Sequence, residues 1–200
     1  MAAPLGMGPS LPKAATWLSQ REAGRRTIPA FFRADRYEYN YLWSQFMFER
    51  FTDRARLVMA TACFEAYRWH HEYLGTEHLL VSLVRDPRGV GSQVLKSHSM
   101  NEAQIRASLG LANPPSSEPT SQRLPQSDGM KQVIKYACQE AERLGREYVG
   151  TECLLIGLLI VTDDSAAVAL TNAGLGADDV REEVKALLLA GIEDPEGNQW

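Results

Sequence analysis

The chain has 200 residues, 44% of them hydrophobic and 23% charged, which fits a globular protein of one or two domains. Lys and Arg number 21 against 25 Asp and Glu, a net charge of −4, and no basic stripe stands out to suggest a nucleic-acid partner. The longest apolar run, residues 154–161, is far shorter than the ~18 residues a membrane span needs and reads as a buried helix.

Residues 1–46 carry Pro4, Gly6, Gly8, Pro9 and Pro12 and little periodicity, so this extension is expected to have low order. Up to Arg36 it holds more arginine than acid, as organelle transit peptides do, but it lacks their serine. Residues 37–48 are densely aromatic. They are compatible with a short docking helix, a partner-binding peptide or translated upstream sequence.

The first periodic element begins at Thr52, expected to be an N-cap with Asp53 in the first turn. Ala55, Val58, Met59, Ala62, Cys63, Ala66 and Trp69 then recur at helical spacing. Gly75-Thr76-Glu77 forms a corner, with Thr76 expected to cap a second helix whose core face is Leu79, Leu80 and Leu83. Shorter helices are expected near 90–97 and 101–109. Residues 111–126 are rich in Pro and Ser and read as a linker.

The text of residues 62–80 returns at 137–155 without a gap. Ala62-Cys63, Glu65-Ala66, Arg68 and Glu72-Tyr73 match Ala137-Cys138, Glu140-Ala141, Arg143 and Glu147-Tyr148, and the corner reappears as Gly150-Thr151-Glu152. Such a repeat means two copies of one supersecondary unit, which are expected to pack together because a unit of this size is marginal alone. Copy two starts at the expected cap Ser127 and continues with Met130, Val133, Ile134, Ala137, Cys138, Ala141 and Leu144. Thr151 is the expected cap of its second helix. Helices near 165–173 and 177–190 follow, with Gly174 ending the former. No alternating strand pattern occurs. The expected fold is all-α, a pseudo-twofold duplication of a four-helix repeat: 47–110 and 127–192, with a tail at 193–200.

The strings Tyr73-Leu-Gly-Thr-Glu-His-Leu-Leu80 and Tyr148-Val-Gly-Thr-Glu-Cys-Leu-Leu155 resemble the double repeat of the Clp N-terminal domain, which precedes the ATPase rings of ClpC- and ClpA-type unfoldases. The resemblance covers residues 47 to about 190. The stretch 47–56 is similar to the start of ClpC-type proteins, which suggests Met47 as an alternative start. The phosphate-loop pattern G-x-x-x-x-G-K-[ST] does not occur in the sequence, so the expectation is a stand-alone module without ATP hydrolysis. Plastid ClpT-type accessory proteins are similar in this respect.

The resemblance implies a non-enzymatic binding module that recruits to or regulates a Clp ATPase; the alternatives are the same fold reused for an unrelated small-ligand or regulatory role, or a truncated Clp ATPase reading frame. The module's expected partners are Clp ATPase or protease subunits, adaptor proteins, and unfolded or arginine-phosphorylated clients, with no nucleic acid, no membrane and no cofactor. In ClpC-type modules the corner glutamate meets the guanidinium of a phosphorylated arginine, and the phosphate sits at the start of a repeat's first helix. Carried over, Glu77 and Glu152 beside Thr76 and Thr151 would hold guanidinium. Thr52, Asp53 and Arg56 in copy one, and Ser127 and Lys131 in copy two, would frame the phosphate. Copy one, with Arg54 and Arg56 where copy two has Gly129 and Lys131, is the better-charged pocket. The same Thr-Glu pairs are also explained as helix starts, where capping and the helix dipole contribute ~0.5–2 kcal/mol.

Metal binding is not expected, because no CxxC or HxxxH spacing occurs. His70, His71 and His78 read as solvent-facing polar residues. Asp163-Asp164 and Asp178-Asp179 read as helix starts. Cys63 and Cys138 read as buried free thiols, and the thiols fit a reducing, cytoplasmic compartment, with a plastid as the alternative.

Overall fold

A computed structural model describes residues 50–111 and 124–194. The expected order of 1–46, the aromatic segment and most of the Pro/Ser linker fall outside these residues. Eight helices are present among the described residues: α1 (Asp53–Arg68), α2 (Thr76–Arg85), α3 (Val90–Ser97), α4 (Glu102–Ser108), α5 (Asp128–Arg143), α6 (Thr151–Ile160), α7 (Ser165–Asn172) and α8 (Ala177–Leu189). No strand occurs among them, so the chain is all-α as expected. The first three helices of each half start and stop at equivalent positions. The fourth starts equivalently but is longer in the second half.

Local chemistry explains the ends. Thr52 and Ser127 cap α1 and α5, each accepting a backbone N–H three residues on, from Ala55 and Met130, at 3.1 Å. α2 and α6 correct the expectation for Thr76 and Thr151. The caps are Gly75 and Gly150, and the threonines are the first helical residues. Glycine offers no capping oxygen, and at the start of α2 the Gly75 N–H donates to Nδ1 of His78 at 3.0 Å. α7 ends at Gly174 in the left-handed region (φ +86), with Leu175 N–H returning to Leu170 O.

The apolar stripes converge on one contiguous core. Ala55, Val58, Met59, Ala62 and Ala66 of α1 and Met130, Val133, Ala137 and Ala141 of α5 are buried. Cys63 and Cys138 are only partly buried, packed on the rim of the core instead of sealed inside it. α6 is apolar around its whole circumference and packs against α1, α2, α3, α5, α7 and α8, which explains why its run looks like a membrane segment while too short to be one. The small residues admit close contact. A side chain at Gly157 would meet the Val133 carbonyl at 2.7 Å, so α5 and α6 touch backbone to backbone there. No single described helix is long and apolar enough to cross a membrane.

The halves are interlocked at their entrances. Thr52 N–H donates to Val149 O (3.0 Å) and Val149 N–H to Arg50 O (2.6 Å). The equivalent pair in the other direction is Ser127 N–H to Leu74 O (2.9 Å) and Leu74 N–H to Pro125 O (2.8 Å). These are two short parallel bridges, Phe51 with Val149 and Leu74 with Gln126. Each half's first helix therefore starts beside the other half's Gly-Thr-Glu corner.

Candidate functional site

This crossing decides which candidate residues meet. Glu77 and Thr76 lie with Ser127 and Asp128, whereas Thr151 lies with Thr52. The sequence leaves open whether guanidinium and phosphate contacts come from one repeat or from both; the crossing groups the candidates in two composite pockets.

The first pocket is open, a cavity of about 440 Å³. His71, Tyr73 and Glu77 wall it from the first half, and Ser127, Asp128 and Asp164 from the second. Three carboxyl groups, Glu77, Asp128 and Asp164, line it, and Asp128 is paired with the exposed Lys131 at 2.8 Å. Gly129 allows this crowding, because a side chain there would overlap the Asp164 carboxyl. Burial pushes the Glu77 carboxyl above its ordinary range, and the nearby Asp164 charge adds to the rise. The pocket has an acidic wall suited to a cation.

His78 departs from the expected solvent-facing position, being fully buried. Its Nδ1 accepts from Gly75, so its Nε2 carries the proton and donates to His71 Nδ1 at 2.7 Å. Burial, and then the imidazole of neighbouring His71, lower its pKa to about 3, which keeps the ring neutral. His71, Glu77 and His78 offer ligand atoms within 4.8 Å of one another. In this tautomer His78 has no Nε2 lone pair to offer a metal, and its two ring nitrogens are taken by Gly75 and His71 at the start of α2.

The second pocket is filled. Thr151 and Glu152 are fully buried, and Thr52 is 4% exposed. Asp194 enters from beyond α8 and takes hydrogen bonds from Thr151 N (2.6 Å), Thr151 Oγ1 (2.9 Å), Val90 N (3.0 Å) and Thr52 Oγ1 (3.3 Å). Arg54 is buried against Asp86, and Arg56 pairs with Asp53 at 2.8 Å. Burial raises the Glu152 carboxyl to about 7, reinforced by the Asp194 charge. Glu152 therefore has no open face on which to receive a guanidinium.

Asp194 and Asp164 escaped sequence reasoning. Asp194 lies in an aperiodic segment with no marker of burial, while Asp164 reads as an ordinary helix start. A second missed pattern was visible in the repeat. Glu65 and Glu140 are almost fully buried, and each is held by an arginine of the fourth helix, Arg106 at 2.6 Å and Arg181 at 2.9 Å.

The model of the Clp repeat (R) N-terminal domain matches residues 50–173 and 130–198. The chain belongs to the Clp repeat N-terminal domain family. It is 37% identical over 142 residues to the negative regulator of genetic competence ClpC/MecB of Bacillus subtilis, and 36% identical to the chaperone protein ClpB of Oceanobacillus iheyensis. Each alignment covers 71% of this chain but only 17% of the relative. The Clp N-domain of ClpD from Arabidopsis thaliana superposes with a TM-score of 0.54 at 27% identity, covering 71% of this chain and 96% of that one. A ClpV N-domain solved in complex with a VipB peptide shares the fold, with a TM-score of 0.57 at 13% identity over 72% and 89% of the two chains.

Proposed function

We propose that this chain is a non-enzymatic protein-recognition module of the Clp chaperone–protease system, which seats an arginine side chain of a client or adaptor in the Glu77 pocket. The observation that carries this reading is the open cavity between the halves, whose wall of Glu77, Asp128 and Asp164 matches a guanidinium in charge and hydrogen-bonding capacity. The relatives belong to Clp machines, and one related fold binds a peptide, which supports a polypeptide as the occupant. Delivery to, or regulation of, a Clp ATPase is the role that fits such a module.

Phosphorylated arginine is the finer form of the same reading. Lys131 and the first turn of α5 are the groups that would meet its phosphate, while Asp128 and Asp164 oppose it. Calorimetric titration with matched peptides, one carrying arginine and the other phosphoarginine, separates these forms. Glu77→Ala is expected to weaken whichever peptide binds by at least tenfold, the loss of about one charge-assisted hydrogen-bonded pair. Asp164→Asn is expected to shift preference toward the phosphorylated peptide. The reading fails if neither peptide binds at millimolar concentration, or if Glu77→Ala leaves both affinities intact.

A further inference from the structure

The two pockets are equivalent in ancestry but not in state. In the open one Thr76, Ser127 and Ser165 line the cavity. Their counterparts Thr151, Thr52 and Val90 instead surround a carboxylate supplied by the chain itself. We propose that Asp194 is a built-in, displaceable ligand that keeps the Thr52–Thr151 pocket shut, so that this module recognises partners through two unequal pockets, one open and one gated. The inference rests on the reading of these pockets as recognition sites and adds its regulation.

The donors around Asp194 form a coherent anion cradle. Val90 and Thr151 begin α3 and α6, so the first amides of two helices, joined by the hydroxyls of Thr151 and of the α1 cap Thr52, converge on the two oxygens. All four bonds are made by the carboxylate. Asp194 is 2% exposed, yet Gly191 and Glu193 beside it are exposed and Ile192 is only half-buried. The segment is thus held by its charge, assisted by the Arg146–Glu193 ion pair at 3.0 Å, and not by an apolar anchor.

The cradle also has an unmet requirement. Glu152, 1% exposed, has a carboxylate oxygen (Oε2) with no hydrogen-bond partner, and the Asp194 charge opposes its ionisation. A docked carboxylate therefore satisfies the donors while leaving the neighbouring acid unanswered. An incoming group that joins an anion to a cation would satisfy both. Its anionic half is a carboxylate or a phosphate carried by a partner polypeptide.

Amide NMR on the full chain tests this, with inorganic phosphate and acetate as separate probes. The Thr151 and Val90 amides report the gated pocket. In Asp194→Ala they are expected to shift saturably at a probe concentration at least tenfold lower than in the wild type. The probe that acts at lower concentration identifies the preferred anion. Asp194→Asn, which keeps the side-chain shape without its charge, serves if the alanine variant does not fold and carries the same expectation. Equal response in wild type and variant, or no response in either variant, overturns the proposal. The arginine-peptide titration followed at the Thr76 and Ser127 amides reports the open pocket independently, so failure of the proposed function is distinguishable from failure of the gate.

Discussion

Ser99 and His70 hold left-handed backbone (φ 59 and 57) where the second half places Gly174 and Gly145. An L-residue there costs ~1–2 kcal/mol, partly offset by the greater chain entropy of glycine. Ser99→Gly is therefore expected to stabilise the protein by about 0.5–1 kcal/mol in urea unfolding, and Gly174→Ser to cost a similar amount. Glu152 gives a pH signature. Its folded pKa, about 7, exceeds the reference value of 4.5, so the native state holds a proton that the unfolded chain has released. The contribution is fully present below pH 4.5 and is lost as the pH rises through 7. The wild type should lose stability relative to Glu152→Gln between about pH 4.5 and 7, by on the order of 3 kcal/mol, and a flat difference would refute the assignment. Of these residues, the sequence announced the caps Thr52 and Ser127, because a hydroxyl before an acidic first turn has one local meaning. It misassigned Thr76 and Thr151, because a glycine cap carries no side chain to signal it.

The pairing of first and fourth helices depends on the buried glutamates. Arg181 grips both oxygens of Glu140 at 2.9 Å, joining α8 to α5, as Arg106 and Arg85 hold Glu65. Removing the acid leaves a partly buried guanidinium with only the exposed Asp178, at 2.5 Å, as its partner. Glu140→Ala should cost about 3–5 kcal/mol in denaturant unfolding. Arg143→Ala, whose 68%-exposed side chain touches the same acid, should cost under ~1 kcal/mol. Similar losses for both would show that the fourth helix is held by other means. Helix positions were legible from spacing because each apolar stripe is local to its segment. The glutamates stood in the repeat as Glu65 and Glu140, but their partners lie 41 positions away, beyond any periodic signal.

The two halves share one core and exchange backbone hydrogen bonds at both entrances, so neither is expected to unfold alone. Calorimetry should give one transition with equal calorimetric and van't Hoff enthalpies, and a fragment spanning 50–111 should not fold. Two resolved transitions would contradict the interlocked arrangement. Duplication was plain from the text, but the crossing was not, since an ungapped repeat is equally consistent with corners that face their own first helix. The crossed entrances make any occupant of the Glu77 pocket a rivet between the halves. A bound peptide must then raise the melting temperature of the entire domain, by about 2.7 kcal/mol of added stability at a hundredfold excess over its dissociation constant. Heat resistance alone would thus report occupancy.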